Sequence, residues 1–274
     1  MNKKSLTAIV TLLVLGVTAA MAQKLWYSRP ASCWLEALPL GNSHLGAMDF
    51  GGTETAELQL NEETFWSGSP YSNNSKTSLQ HLAEVRQLIF SGKEKQAADI
   101  INKEFIPGPN GMRFLTVGSM KLKFPGHDKA TEYYRELDLS NATATTRYTV
   151  DGVKYTRTTF ASMTDGIIVM RIEAGKPGAL NMEMGYDCKL ENSVSVRKNV
   201  LTATVRNVEQ EGIKAGLTAQ CVMQVTADGK TVGRDNAVSV TGATTATIYI
   251  SCATNFVNYH DVSGNALKKA NAYL

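Results

Sequence analysis

From residue 115 to about residue 255 almost every segment reads as strand and turn, and this run constrains the fold more than any other feature. Ala142, Ala144, Thr146, Tyr148 and Val150 alternate with Thr143, Thr145, Arg147 and Thr149, the period of two that puts one row of side chains on each face of a strand. Asp151-Gly152 then predicts a hairpin turn of the primed type, leading into a strand over 153–160. The continuous apolar run at 167–172 reads as a central strand. Further strands are expected near 180–188, 200–206, 215–226, 237–241 and 246–253, separated by Gly, Asn and Asp turns. So many strands without βαβ alternation imply antiparallel sheets, and a strand with one apolar row needs a second sheet to cover it.

Upstream the pattern is mixed. Residues 24–66 combine loops with short strands punctuated by Gly41, Gly46, Gly51 and Gly52, and 67–77 is a polar loop rich in Ser and Asn. The period then changes: Leu79, Leu82, Val85, Leu88 and Ile89 recur at helical spacing after Ser78, a candidate N-cap, with Gly92 as the stop. Ala97, Ile100, Ile101 and Phe105 form the stripe of a second helix, ended by Pro107-Gly108-Pro109. The expected fold is therefore mainly β, a large antiparallel β-sandwich with a helical hairpin inserted at about 78–105.

Lys3 and Lys4, the apolar run over 6–17 and Ala20-Met21-Ala22 have the form of a signal peptide over residues 1–22, with cleavage before Gln23. The apolar run is shorter than the roughly 20 residues a membrane helix needs. Without those residues the formal charge falls from +3 to +1, since two lysines leave 26 basic against 25 acidic residues. With no Lys/Arg cluster, the composition excludes a nucleic-acid partner, and it leaves no membrane association after signal cleavage. Export to the periplasm or the medium follows. The sandwich is expected to occupy 23–258, leaving 259–274 as the start of a linker. Within 259–274, residues 265–274 begin a helix with no partner in the chain.

Cys221, Cys188 and Cys252 each lie on an apolar strand row and read as small buried hydrophobes; a bridge, if formed, pairs Cys221 with Cys252. No C-x-x-C, H-E-x-x-H, P-loop, G-x-S-x-G or Ca²⁺-loop motif occurs, and the four His residues are widely spaced, so neither a metal nor a cofactor is expected. The residues with chemical interest lie early: Trp26, Tyr27, Trp34, Asn42, His44, Asn61, Glu62, Glu63 and Trp66. Aromatic faces beside groups that donate and accept hydrogen bonds suit sugar rings. The competing reading makes the tryptophans packing residues and the asparagines turn caps.

These residues also carry a resemblance. Leu25-Trp26-Tyr27, then Trp34-Leu35-Glu36-Ala37-Leu38-Pro39-Leu40-Gly41-Asn42-Ser43-His44-Leu45-Gly46-Ala47-Met48, then Leu58-Gln59-Leu60-Asn61-Glu62-Glu63-Thr64-Phe65-Trp66-Ser67-Gly68, resemble the N-terminal region of the α-L-fucosidases of glycoside hydrolase family 95. Tyr134-Arg135-Glu136-Leu137-Asp138-Leu139 and Ala253-Thr254-Asn255-Phe256-Val257-Asn258-Tyr259-His260-Asp261 agree with it; Ser43-His44 departs, standing where the family more often has Gly-Arg. The resemblance implies a non-catalytic sandwich packed in cis against an (α/α)6 barrel that hydrolyses terminal α-1,2-linked fucose of glycans with inversion. An inverting reaction needs an acid, a base and room for water between them. The resemblance assigns these to the barrel, so no catalytic residue is expected here, and Glu62 and Glu63 are not cast as the acid. Asn42, His44, Asn61, Glu62 and Trp66 are expected to bind substrate or face the barrel. Two alternatives stay open: a free-standing carbohydrate-binding accessory protein, and the same enzyme class acting on α-L-galactose.

Overall fold

The computed structural model describes residues 23–106, 108 and 111–274. The signal peptide expected at 1–22 and the prolines Pro107 and Pro109 lie outside the described residues. Sixteen strands follow in order: β1 Lys24–Tyr27, β2 Leu38–Gly41, β3 Leu45–Asp49, β4 Thr55–Trp66, β5 Phe114–Lys123, β6 Thr131–Asp138, β7 Thr143–Val150 and β8 Val153–Ala161 in the first half, then β9 Ile168–Ala174, β10 Leu180–Asp187, β11 Asn192–Arg197, β12 Val200–Arg206, β13 Thr218–Ala227, β14 Lys230–Arg234, β15 Ala237–Ala243 and β16 Thr245–Thr254. One sheet runs β1-β6-β7-β8-β9-β16-β13-β12-β11, the other β14-β15-β10-β5-β4-β3-β2, and every neighbouring pair is antiparallel.

The two sheets share one core. Phe65, Val117, Met120, Leu122 and Phe124 of the smaller sheet and its margins meet Ile168, Met170, Cys221, Met223, Ile248 and Ile250 of the larger. Removing such a surface from water is the main favourable term, at about 25 cal/mol per Å². The strand expected at 167–172 lies in the middle of the nine-stranded sheet, between β8 and β16. Asp151 (φ 48°) and Gly152 (φ 75°) both take the left-handed conformation, as a type I′ turn requires.

The helical hairpin comprises α1 (Ser78–Phe90) and α2 (Glu94–Ile100), the latter continuing as a π turn through Phe105. The helices pack mainly against each other, through Val85 and Ala97. Ser78 is the first helical residue, not the cap: Ser75 Oγ accepts from Thr77 N at 3.1 Å and Ser78 N at 2.9 Å. Three residues upstream, the Ser75 hydroxyl satisfies orphan donors that Ser78, already helical, cannot reach. Gly92 (φ 70°) follows the helix end as expected.

The C-terminal helix α3 (Ala266–Tyr273) overturns the expectation of a helix without a partner. Ala266 and Ala270, one turn apart, seat it on the outer face of β13 and β16, where Ala270 meets Val222 and Ala253. Ser251 Oγ donates to Ala270 O at 2.6 Å, and the side chain of Asn265 caps the helix by accepting from Lys268 N at 2.8 Å. These two strands are apolar on both faces at this point, and the second face is what the helix covers. Cys221 and Cys252 are buried directly opposite each other on β13 and β16, with Sγ atoms 2.8 Å apart, and both are free thiols. Cys188 is only half-buried, because it lies just past the end of β10, and Cys33 is exposed.

Candidate functional site

The hairpin of β2 and β3, strand β4 and the start of β5 bring the early polar and aromatic residues to one region. Its turn is held by Asn42, buried at 4% exposure: Oδ1 accepts from His44 N at 3.2 Å and Leu45 N at 2.7 Å, and Nδ2 donates to Ser162 O at 2.8 Å. Asn42 therefore ties the β2–β3 turn to the β8–β9 loop and has no group left for a ligand. Its role is that of the turn residue in the competing reading.

His44 projects from the same turn. Nε2 lies 3.0 Å from Cys252 O, and a carbonyl only accepts, so Nε2 carries a proton. Nδ1 faces Glu63 Oε1 at 3.3 Å and Glu62 Oε1 at 3.6 Å, and the ring packs on Tyr273 of α3 at 5.2 Å between centroids. The turn, the larger sheet and the C-terminal helix thus meet at one imidazole.

Glu62 is 2% exposed and lines neither groove described below. Its Oε2 accepts from Thr64 N at 2.8 Å and Thr64 Oγ1 at 2.7 Å, and Thr64 Oγ1 in turn contacts Thr254 Oγ1 on β16. Burial raises the Glu62 carboxyl above its ordinary value, opposed by the two Thr64 bonds and by the nearness of His44. A raised carboxyl is a mark of general acids, but Glu62 faces the joint between the sheets and not a groove, so no glycan reaches it. Because the folded state binds this proton more tightly than the unfolded chain, ionising Glu62 lowers stability as pH rises from about 4.5 through the higher folded value. Glu62→Gln is therefore expected to gain stability relative to the parent between pH 4.5 and 7, read as diverging urea midpoints. Parallel midpoints would contradict it.

Two open grooves flank the site. The first, about 330 Å³, lies on the outer face of β3 and β4 and is lined by Trp34, His44, Gly46, Asn61, Glu63 and Phe114, among others. Trp34 is 53% exposed, with Nε1 held by Gln59 Oε1 at 2.9 Å, and Asn61 Nδ2 donates to Leu115 O at 3.3 Å. The second, about 250 Å³, is bordered by Thr64, Trp66, Tyr71, Phe256 and Tyr259. Trp66 and Phe114 pack at 5.0 Å between centroids and form the ridge between the grooves; Trp66 Nε1 donates to Glu63 O at 2.9 Å. Of the five residues singled out from sequence, His44, Asn61 and Trp66 line a groove, while Asn42 and Glu62 lie behind the grooves. The packing reading of the tryptophans does not hold for the core: Trp26, Trp34 and Trp66 are 62%, 53% and 42% exposed. Trp34, of chemical interest in the sequence but not among those five, lines the first groove, and nothing in the sequence signals Phe114 or Tyr71.

Among the described residues no group of three His, Cys, Asp or Glu side chains could hold a metal ion, and no helix is long and apolar enough to cross a membrane. Residues 25–259 match the family model for the N-terminal domain of glycosyl hydrolase family 65. The chain belongs to this N-terminal domain family. Alpha-L-fucosidase 2 of Arabidopsis thaliana is 36% identical over 172 residues, covering 62% of this chain and 20% of its own length. The protein named "Probable alpha-fucosidase A" in Aspergillus oryzae is 27% identical over 262 residues, covering 90% of this chain and 35% of its own. Its namesake in Aspergillus niger is 24% identical over 173 residues, covering 60% and 21%. The chain thus spans between a fifth and about a third of the length of these relatives. A glycoside hydrolase N-terminal domain with α-fucosidase relatives is what the resemblance read from the motifs amounts to at this level.

Proposed function

We propose that this chain is the N-terminal, non-catalytic sandwich of an exported α-L-fucosidase of the family 95 type, which removes terminal α-1,2-linked fucose from glycans with inversion. The observation that carries the proposal is the 36% identity to Alpha-L-fucosidase 2, combined with a span of one fifth of that protein. The four fifths of that relative outside the match are long enough to hold a catalytic barrel joined in cis. The exposed ridge of Trp66 and Phe114, with Trp34 in one groove beside it and Tyr259 in the other, supports a face that the barrel covers, since exposed apolar surface of this kind marks an interaction site. His44, Asn61 and Trp66 then belong to the domain interface or the outer edge of the sugar pocket, and Asn42 and Glu62 support the turn and strand that present them.

In the complete protein, Trp66→Ala is expected to cost about 1–2 kcal/mol at that interface, read as a KM raised by about fivefold or more or as a lowered unfolding midpoint. An unchanged KM with an unchanged midpoint would remove Trp66 from the proposal. The accessory carbohydrate-binding reading draws its support from Trp34, whose open face beside Asn61 and Glu63 suits a pyranose. Saturable glycan binding by residues 23–274 alone, lost in Trp34→Ala, would favour that reading.

A further inference from the structure

Away from the grooves, two arginines are buried inside the sandwich with no anionic partner. Arg135 is 0% exposed and Arg157 1%. Arg135 on β6 pairs with Thr146 on β7, which pairs with Arg157 on β8, so all three share the inward face of the larger sheet. Arg135 Nε and Nη1 donate to the carbonyls of Arg29 (2.9 Å) and Glu36 (2.8 Å), and Arg157 Nη2 donates to Gly52 O (2.6 Å). Arg135 Nη2 and Arg157 Nε and Nη1 find no partner, and among the described residues these are the buried side-chain polar atoms left unsatisfied. The arginine ion pairs among the described residues belong to Arg29, Arg147, Arg171 and Arg206.

Aromatic faces compensate in part: Tyr27 lies 4.1 Å from the Arg135 guanidinium, and Phe124 and Tyr148 lie 5.4 and 5.7 Å from that of Arg157. Both guanidiniums and the buried Asp49 act on the phenol of Tyr133, which donates to Gly51 O at 2.6 Å. They therefore converge on the 49–52 segment. Asp49 already accepts from Gly51 N at 2.9 Å, with Thr159 Oγ1 at 3.5 Å. Burial, and next the Arg157 charge, push His127 below its ordinary value, so its imidazole adds no cation. Two buried positive charges thus stand against one negative one. An unpaired buried charge is strongly destabilising, and each orphaned donor adds its own desolvation penalty. Water would satisfy the donors but not the charge. Gly51 and Gly52 bring the two side chains to one place: the position of a Cβ on Gly51 lies 2.8 Å from Arg135 Cδ, and the next carbonyl, Gly52 O, accepts from Arg157 Nη2.

We propose that the Arg135–Arg157 cluster binds one small monoanion, chloride under ordinary conditions, through Arg135 Nη2 and Arg157 Nε or Nη1. Crystals grown from the intact protein in bromide should show an anomalous peak in contact with both guanidiniums. In solution, replacing gluconate by chloride at constant ionic strength should raise Tm, by about 3–6 °C per tenfold chloride above saturation. Arg157→Met, if it folds, should abolish that response. Water without anomalous signal between the arginines, bromide on the surface only (an adventitious ion only), or equal Tm in the two salts would each overturn the proposal.

Discussion

Gly118→Ala is expected to destabilise the sandwich by about 2–6 kcal/mol, a large share of the roughly 5–15 kcal/mol that holds a domain folded. Between Gln59↔Ser119 and Asn61↔Thr116, β4 advances two residues while β5 advances three, so β5 carries a bulge at Val117 and Gly118. Gly118 takes φ 93°, a conformation in which a side chain is strained. Its nitrogen donates to Thr116 Oγ1 at 3.1 Å, and that hydroxyl donates to Leu60 O at 2.8 Å. Tyr186 of β10 closes over the bulge and donates to Val117 O. An added Cβ would lie 2.6 Å from Tyr186 Cζ and 2.8 Å from Asp187 O, a backbone atom that cannot turn aside.

Two costs therefore add in Gly118→Ala, and a second substitution separates them. Tyr186→Leu in the Gly118→Ala background should recover part of the overpacking while leaving the φ penalty. Thermal unfolding should show a Tm lowered by about 5–20 °C in the single variant. A Tm within 1–2 °C of the parent would mean that the bulge is not built as described. Beyond the bulge β5 pairs Phe114, at its start, with Trp66, and the two rings form the ridge between the grooves. A variant that folds with a straightened β5 should therefore also disturb the aromatic face.

The strands with a clean apolar row were legible from sequence. β12 begins and ends at the residues the alternation indicates, and the Leu217–Val225 row of β13 is buried throughout. β11 and β14 were not, because as edge strands they bury little: Val194, Val196 and Val232 are only half-buried. β4 is longer than its Leu58-Gln59-Leu60 core suggests, since Glu62 stays in the sheet by hydrogen bonding to Thr64 and not by being apolar. Arg135 and Arg157 occupy inward positions that a hydropathy pattern assigns to solvent. Carbonyls and aromatic rings, supplied by segments distant in sequence, make the burial possible.

The site was half legible for a similar reason. Residue type and motif drew attention to Asn42, His44, Asn61, Glu62 and Trp66, but not to which of them face outward. Asn42 is buried because two backbone N–H groups saturate its oxygen, and Glu62 because Thr64 N and Oγ1 saturate one of its own; those geometries exist only once the 42–45 turn and the irregular stretch of β4 between Asn61 and Trp66 have formed. Phe114 joins Trp34 and Trp66 solely through the pairing of β4 with β5, across nearly fifty residues of intervening chain that includes the helical hairpin.

The largest functional effect expected is a loss of all turnover. If the catalytic acid and base belong to a barrel outside these residues, the sandwich has nothing with which to hydrolyse a glycosidic bond. Inverting hydrolysis needs two carboxyl or equivalent groups about 6.5–9.5 Å apart on opposite sides of a bound sugar. Glu63 is the carboxylate that lines a groove beside His44, and Glu62, next to it in sequence, faces the sheet joint, so the two do not flank one sugar. The most direct measurement is fucose release from an α-1,2-fucosylated glycan by purified residues 23–274, alongside the complete protein at equal concentration. Release by the complete protein is expected, and none above the uncatalysed rate by the sandwich. Turnover by the sandwich, abolished in Glu63→Gln, would place the chemistry in this chain and contradict it.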